Sequence, residues 1–506
     1  MKSLAELLSG WCEVPDLQVK GLALDSRQIQ PGYAFIAVQG NTGHGLDFLA
    51  QAEKAGACAI ILDQHDDSAF QSDLPLVRLP KLKNRVGKLA SRFYEHPSVQ
   101  MPLVGITGTN GKTSCSLFLA HCWNQLGSQG GVIGTLGTGA VDSDQDAAEQ
   151  LQETGNTTPD PVTVQAALAG MYQQGVRHAA IEVSSHAMDQ HRVEGCRFET
   201  GLFTNLTQDH LDYHSSMEQY GEAKAKLFLE MPLQHAVVNL DDAFGIRLLQ
   251  QLKQQRPEIT RIGYSVYPQP QGLDLCDRFV VTEQSVLDQN GCQAKLNTSW
   301  GQFDFANQQL LASFNLSNLL GVIGCLLLDF APEKVLQAAS NLKPVPGRLN
   351  RFGGSELPLV VVDYAHTPDA LQQVLSALRP LVSGKSYCVF GCGGDRDRNK
   401  RPQMAAAAEQ NSDQLVITQD NSRFEDPAQI FADIKTGLQQ PDLAWLEPER
   451  NQAIAKALSV AKAGDLIVVA GKGHEDYLDI QGKKSFWSDL QAVSELLQAK
   501  AGEQYV

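Results

Sequence analysis

Short apolar runs separated by helical patterns recur along the whole chain, and their grouping divides it into three α/β units. In the first hundred residues the runs 21–24, 34–38, 57–62 and 76–79 read as strands, and 46–55 carries apolar positions at helical spacing. After Pro97 the pattern changes. Residues 103–106 read as a buried strand, 108–112 as a loop and 114–126 as a helix. Further strands at 179–183, 201–204 and 236–239 alternate with helices, as a mostly parallel sheet requires. An apolar helix over 317–330 leads to Asn341-Leu-Lys-Pro-Val-Pro-Gly, whose prolines and glycine mark a linker. Beyond it, 359–362, 387–390, 414–418 and 466–470 read as buried strands separated by helices. The expected architecture is α/β in three domains: a small α/β domain over 1–98, a central domain with a mostly parallel sheet over 99–340, and a Rossmann-like α/β domain over 341–506.

Composition narrows the function. With 43% hydrophobic and 19% charged residues over 506 positions, global disorder is excluded. A net charge of -16 makes the chain a poor tracker of nucleic-acid phosphates, while leaving room for a local basic pocket that binds a phosphorylated small molecule. The ten cysteines form no C-x-x-C pair, so a structural zinc site has no support and reduced thiols are expected. Glu6 interrupts the apolar stretch a signal peptide needs, and the longest apolar run, 319–328, is shorter than the ~20 residues that span a bilayer. The expectation is a cytoplasmic monomer with no membrane span and no nucleic-acid partner.

The sharpest chemical signal is Gly108-Thr109-Asn110-Gly111-Lys112-Thr113, which follows a predicted strand and opens a predicted helix at Ser114. There, backbone N–H groups and a helix amino terminus cradle phosphates, Lys112 reaches the β and γ phosphates, and Thr113 ligates Mg²⁺. The full G-x-x-x-x-G-K-[ST] pattern is not present, because Ile106 holds its first position. The only Asn-Lys pair, Asn399-Lys400, continues as Arg401-Pro402, so the guanine-reading N-K-x-D sequence is absent and ATP is the expected nucleotide.

Ligands of an open parallel sheet gather at the carboxyl ends of its strands. Glu182, in Ile181-Glu-Val-Ser-Ser-His186, and His210, in Asn205-Leu-Thr-Gln-Asp-His210, stand at two such ends; each is either a magnesium ligand beside the phosphates or a satisfied strand-end side chain. Tyr220, Lys224, Leu227, Phe228 and Met231 recur at helical spacing, which puts Lys224 on an apolar face. A buried ammonium is costly, so Lys224 snorkels, pairs with an anion or is chemically neutralised. The last unit carries polar loops after its four strands, with Asp363, Arg396, Asp420 to Arg423, and Gly471 to Glu475 in one crevice. Arg396, Arg423 and Glu475 together suit a zwitterion, guanidinium forks meeting carboxylates and a carboxylate meeting an ammonium.

The set G-T-N-G-K-T, E-V-S-S-H, D-H-L-D-Y-H, D-Y-A-H-T-P and G-K-G-H-E, in this order over nearly the whole chain, resembles the Mur ligases of bacterial cell-wall synthesis, and among them the members that add the third peptide residue. The resemblance implies a first domain holding the UDP end of the substrate, a central ATPase domain with a phosphate loop, and a last domain binding the incoming amino acid. It implies that Leu24, Ser26, Asn41, Thr42 and Gly43 contact the UDP sugar, and that Asn156, Thr157, Thr158, Ser184, Gln190 and Arg192 hold the muramoyl peptide. By the same resemblance Thr113, Glu182, His210 and a carbamylated Lys224 hold magnesium, while Asn315, Arg348 and Asp363 contact the adenine nucleotide. The implied reaction phosphorylates the D-glutamate γ-carboxylate of UDP-N-acetylmuramoyl-L-alanyl-D-glutamate with ATP, and the incoming amine displaces phosphate from the acyl phosphate.

The amino acid is read from Asp420-Asn421-Ser422-Arg423. Members that use meso-diaminopimelate carry D-N-P-R there, and lysine-adding members lack the arginine. Arg423 would bind the distal carboxylate of diaminopimelate and repel the terminal ammonium of lysine. Ser422 replaces the proline, which loosens the loop but keeps its charge. Arg396, Asp420, Asn421, Gly471 and Glu475 fall on the remaining contact positions. The competing readings are the same ligase adding L-lysine, a folylpolyglutamate-synthase-like ligase, and a nucleotide-dependent regulatory protein without turnover.

Overall fold

A computed structural model describes residues 1–14, 16–40, 43–66, 72–142, 151–209 and 213–504. Its strands form three main sheets. The first is a four-stranded parallel sheet in chain order, Gly21–Ala23, Tyr33–Ala37, Ala59–Asp63 and Leu76–Leu79. Its central strands are covered on both faces, which is why Ala34-Phe-Ile-Ala and Ala59-Ile-Ile-Leu are unbroken apolar runs. The helix expected over 46–55 is split into a 3₁₀ turn, Gly45–Phe48, and an α-helix, Leu49–Lys54. His44 causes the tight first turn: its Nδ1 accepts from the Leu46 N–H at 3.0 Å, and its own N–H donates to Asp47 at 3.0 Å.

The central sheet has ten strands. Leu103–Thr107 lies between Thr200–Phe203 and His178–Glu182, parallel to both, with Ile106 opposite Glu182 and Thr107 opposite Phe203. This register sets the ends of three strands side by side at the loop 108–111. The sheet continues through His235–Asn239 and Thr260–Ser265 into an antiparallel meander, Arg278–Asp288, Gly291–Thr298 and Gly301–Asn307. That meander was not among the expected strands, although Asn290-Gly291 between alternating residues is a hairpin signal. The apolar helix expected over 317–330 is Ser313–Leu326, and a second helix, Pro332–Ser340, separates it from the linker. Apolar content continues past the end of the first helix, so periodicity overran it, while Pro332 at the first turn starts the next.

The third sheet runs Asn350–Gly353, Leu359–Asp363, Leu466–Ala470, Ser386–Phe390, Gln414–Ile417 and Trp445–Leu446, parallel except for its first pair. The four expected strands are its centre; the two edge strands are short and only partly buried, and carry no apolar run. Among the described residues no helix is long and apolar enough to cross a membrane.

Candidate active site

The phosphate loop joins Leu103–Thr107 to the helix Lys112–Gln125. Gly111, at φ 87°, needs glycine twice over, because a Cβ there would stand 2.3 Å from Asn318 Oδ1. The neighbouring strand end braces the loop: Thr109 N–H donates to the Asn205 carbonyl at 2.9 Å, Asn110 N–H to Asn205 Oδ1 at 2.9 Å, and Thr204 Oγ1 to the Asn110 carbonyl at 2.6 Å. Lys112 curls back, its Nζ 2.8 Å from the Gly108 carbonyl and 2.9 Å from that of Thr109. Burial pulls its pKa below the ordinary lysine value, and the negative charges of Glu182 and Asp209 oppose that shift.

Glu182 is buried at the end of its strand. Thr113 Oγ1 donates to its Oε2 at 3.0 Å, Thr135 Oγ1 to the same oxygen at 3.1 Å, and Thr135 N–H to Oε1 at 2.9 Å. Burial still raises its pKa, against Lys112 and these hydrogen bonds. A buried carboxylate beside a hydroxyl is a hard-oxygen donor set with unmet demand for positive charge, which fits Mg²⁺. Among the described residues no group of three or more His, Cys, Asp and Glu side chains is placed to hold a metal. A magnesium ion held by Thr113 and Glu182 would have phosphate and water among its other ligands, its usual habit. Lys224, 1% exposed on the helix Met217–Leu229, lies 2.9 Å from the same Gly108 carbonyl and 4.2 Å above the Tyr220 ring centroid. Burial, and then Lys112, push its pKa well below the ordinary value. His210 lies outside the described residues.

A cavity of about 790 Å³ opens between the first sheet and the central sheet. Leu24, Asn156, Gln190 and Arg192 line it, joined by Lys83 and Asp160, which the sequence did not single out. The Arg192 guanidinium bonds neutral groups, Gln190 Oε1 at 2.7 Å and the Thr158 carbonyl at 2.7 Å, so its charge is available to an anion. Thr158 Oγ1 donates to the Glu182 carbonyl at 2.6 Å, and Thr135 Oγ1 reaches Thr157 Oγ1 at 3.1 Å, so the 156–158 segment is tied to the magnesium candidates. Ser184 caps the short helix Ser185–Asp189. Ser26 is buried, donating to Gln51 at 3.0 Å, and Gly43 accepts from the Gly40 N–H at 2.9 Å; Asn41 and Thr42 lie outside the described residues.

Beyond the linker, Asp363 is buried and pins two turns, accepting from the Leu349 N–H at 2.9 Å and the Ala365 N–H at 2.8 Å. Arg348 stacks over Tyr364, 4.8 Å from its ring centroid, and His474 packs on the same ring at 5.1 Å. Asn315 spends its amide on the Leu311 carbonyl at 2.9 Å, whereas Asn318, one turn on and not singled out, is the asparagine against the phosphate loop. The signal for it was there: a polar residue on the buried face of an apolar helix.

The last crevice gathers the loops after four adjacent strands. Ser422 is buried rather than loosened, and Arg423, at φ 50°, is fixed by the hairpin Tyr477–Ile480 and Lys483–Phe486: its N–H donates to the Asp479 carbonyl at 2.9 Å and its carbonyl accepts from Gln481 at 2.5 Å. The hairpin supplies the restraint that a proline would supply through φ. Arg423 Nη1 donates to the Gly394 carbonyl at 2.7 Å, and Arg396 stays exposed on that loop. Asn421 donates to Glu475 Oε2 at 2.9 Å, and Gly471, at φ 114°, lets Asp420 approach to where a Cβ would lie 2.8 Å from Oδ2. Lys472, fully buried among these residues, was not singled out.

Residues 18–94 match the Mur ligase family catalytic domain, 106–326 the Mur ligase middle domain, and 347–473 the Mur ligase glutamate ligase domain. The UDP-N-acetylmuramoyl-L-alanyl-D-glutamate--2,6-diaminopimelate ligase of Ectopseudomonas mendocina (strain ymp) is 46% identical over 483 residues, 95% of either chain. A solved structure of a ligase of that name superimposes at a TM-score of 0.71 with 32% identity, covering 99% of both chains. The folylpolyglutamate synthase of Mycobacterium tuberculosis, solved with ADP and AMPPCP, shares the fold over 76% of this chain and 91% of its own, at 17% identity and a TM-score of 0.57. The chain belongs to the Mur ligase family. It is an ATP-dependent ligase that forms an amide bond.

Proposed function

We propose that this enzyme joins meso-diaminopimelate to UDP-N-acetylmuramoyl-L-alanyl-D-glutamate in the cytoplasm, consuming ATP, as a step of peptidoglycan precursor synthesis. The observation that carries the reading is the hydrogen-bonded link between Glu182, beside the phosphate loop, and an adjoining cavity. The 790 Å³ cavity is linked to Glu182 through Thr135, Thr157 and Thr158. The crevice around Arg423 and Glu475 supplies the third set of charged groups. Arg192 offers a positive charge to the substrate's anionic groups. Lys112 and the loop N–H groups take the β and γ phosphates, and their charge eases phosphoryl transfer to the γ-carboxylate. Thr113 and Glu182, with His210 and Lys224 as its carbamate, would hold Mg²⁺, which supplies further charge neutralisation at the phosphates. Arg423 takes the distal carboxylate of diaminopimelate, and Asp420 and Glu475 take an ammonium, leaving the other amine to displace phosphate.

Phosphate release from ATP is the test, measured with magnesium and the UDP-dipeptide in the presence of meso-diaminopimelate, L-lysine or no amino acid. Release that depends on diaminopimelate is expected. Release with lysine at equal efficiency would keep the ligase and discard the role given to Arg423, and silence with both would discard the substrate assignment.

A further inference from the structure

Lys472 follows the strand Leu466–Ala470 and carries a fully buried side chain. A buried ammonium is tolerated only when paired and hydrogen-bonded. Its Nζ lies 3.0 Å from Glu475 Oε2, 3.2 Å from Asn421 Oδ1 and 3.8 Å from Asp420 Oδ1. Two of these partners, Asp420 and Glu475, are the carboxylates proposed above to meet the ammonium of the incoming amino acid. Asn421 locks the arrangement: its Oδ1 also accepts from the Asp479 N–H at 2.9 Å, and its Nδ2 donates to Glu475 Oε2 at 2.9 Å. Glu475 Oε2 thus receives two donors, while Oε1 receives none among the described residues and the side chain stays 20% exposed. The nearby Arg450 spends its hydrogen bonds on Asp489, at 2.6 Å and 2.7 Å, and reaches Asp420 and Glu475 only through space.

We propose that Lys472 is a positioning and specificity-determining residue for the amino-acid site: an internal cation that holds Asp420, Asn421 and Glu475 in place and cancels one of their two negative charges. The inference rests on the assignment of that crevice to diaminopimelate. With Lys472 present, the acidic end offers one net negative charge, enough for one ammonium, beside an arginine that seeks a carboxylate. Without it, the two carboxylates lose the cation hydrogen-bonded between them, and a substrate with excess positive charge becomes favourable. Lys472 therefore disfavours L-lysine together with Arg423: lysine carries the two amines of diaminopimelate but one carboxylate fewer, and its excess positive charge finds one of the two acids already neutralised.

Steady-state kinetics of the full chain, with Lys472→Met, Lys472→Gln and Lys472→Arg beside the wild type, tests this. The neutral variants are expected to raise KM for diaminopimelate about tenfold and to raise the ratio of kcat/KM for L-lysine over diaminopimelate by a similar factor, while KM for ATP and for the UDP substrate moves by less than about twofold. Lys472→Arg, which keeps the charge, is expected to keep the wild-type ratio. Lys472→Gln retains a donor toward Glu475 and decides the matter if the methionine variant does not fold. An unchanged lysine-to-diaminopimelate ratio, or equal losses toward all three substrates, would overturn the proposal and leave Lys472 a structural residue. A wild type that ligates no diaminopimelate would instead overturn the assignment of the crevice, and the wild-type arm separates the two failures.

Discussion

Lys112 and Lys224 place their ammonium nitrogens on one acceptor: the Gly108 carbonyl oxygen lies 2.8 Å from the first and 2.9 Å from the second. One comes from the phosphate-loop helix and the other from the buried face of the helix Met217–Leu229. Two like charges on one oxygen disfavour each other, and burial falls more heavily on Lys224. The pair therefore favours a neutral amine at Lys224, the form that adds CO₂ to become a carbamate. Lys224→Ala is expected to lose ligation, and bicarbonate is expected not to restore it. A carbamate resonance on the wild type in ¹³C-bicarbonate, absent from the variant, is the spectroscopic check, and a fully active variant would refute the role.

Arg423 gives one guanidinium nitrogen to the Gly394 carbonyl, and the hairpin fixes its backbone. Charge-assisted hydrogen bonds contribute roughly 1.5–3 kcal/mol, so Arg423→Ala is expected to raise KM for diaminopimelate by about ten- to a hundredfold. KM for the UDP substrate should hardly move, since Arg423 does not line the cavity. Equal effects on both substrates would count against the specificity argument.

His474 reports the packing of the glutamate-bearing loop on Tyr364 through its titration. Burial, then Arg348, lowers its pKa from 6.5 to about 4. Between these values the unfolded chain binds a proton that the folded protein refuses, so this contribution is complete above pH 6.5 and is lost as pH falls toward 4. At 1.36 kcal/mol per unit its size is at most about 3 kcal/mol. Urea unfolding of His474→Gln should accordingly lose less stability than the wild type between pH 7 and 5, and parallel curves would sink the prediction.

Arg450 and Asp489 form a buried ion pair that ties the helix Arg450–Val460 to the helix Asp489–Gln504, and Arg450 also donates to the Ala470 carbonyl at 3.0 Å, just before Gly471. Removing one partner strands the other charge, which costs about 3–5 kcal/mol. Asp489→Ala should lower the urea midpoint accordingly, whereas loss within the range of a surface pair, about 1 kcal/mol, would show that the guanidinium finds water.

How much of this was legible depended on whether the signal was local. Gly108 to Thr113 is a contiguous loop whose chemistry is carried by its residue types. The central strands announce themselves as apolar runs because both their faces are covered. Asn318 and Lys472 escaped notice for the opposite reason. Each is an ordinary residue until the fold brings a partner to it, Gly111 to the first and Glu475 with Asn421 to the second. Ser422 was misjudged in the same way, since the restraint on its loop comes from a hairpin more than fifty residues on.

The sequence by itself determined the three α/β units, the phosphate loop, the place of Lys224 on an apolar helix face and the charge type of the crevice, because periodicity and residue chemistry act over a few neighbouring positions. Only the tertiary structure decided that Lys112 and Lys224 meet at Gly108, that Thr135 links Glu182 to Thr157, and that Lys472 sits among the acids of the crevice. Strand order and register set those distances, and side chains far apart in the chain acquire their hydrogen bonds, burial and shifted protonation only once the sheets are assembled.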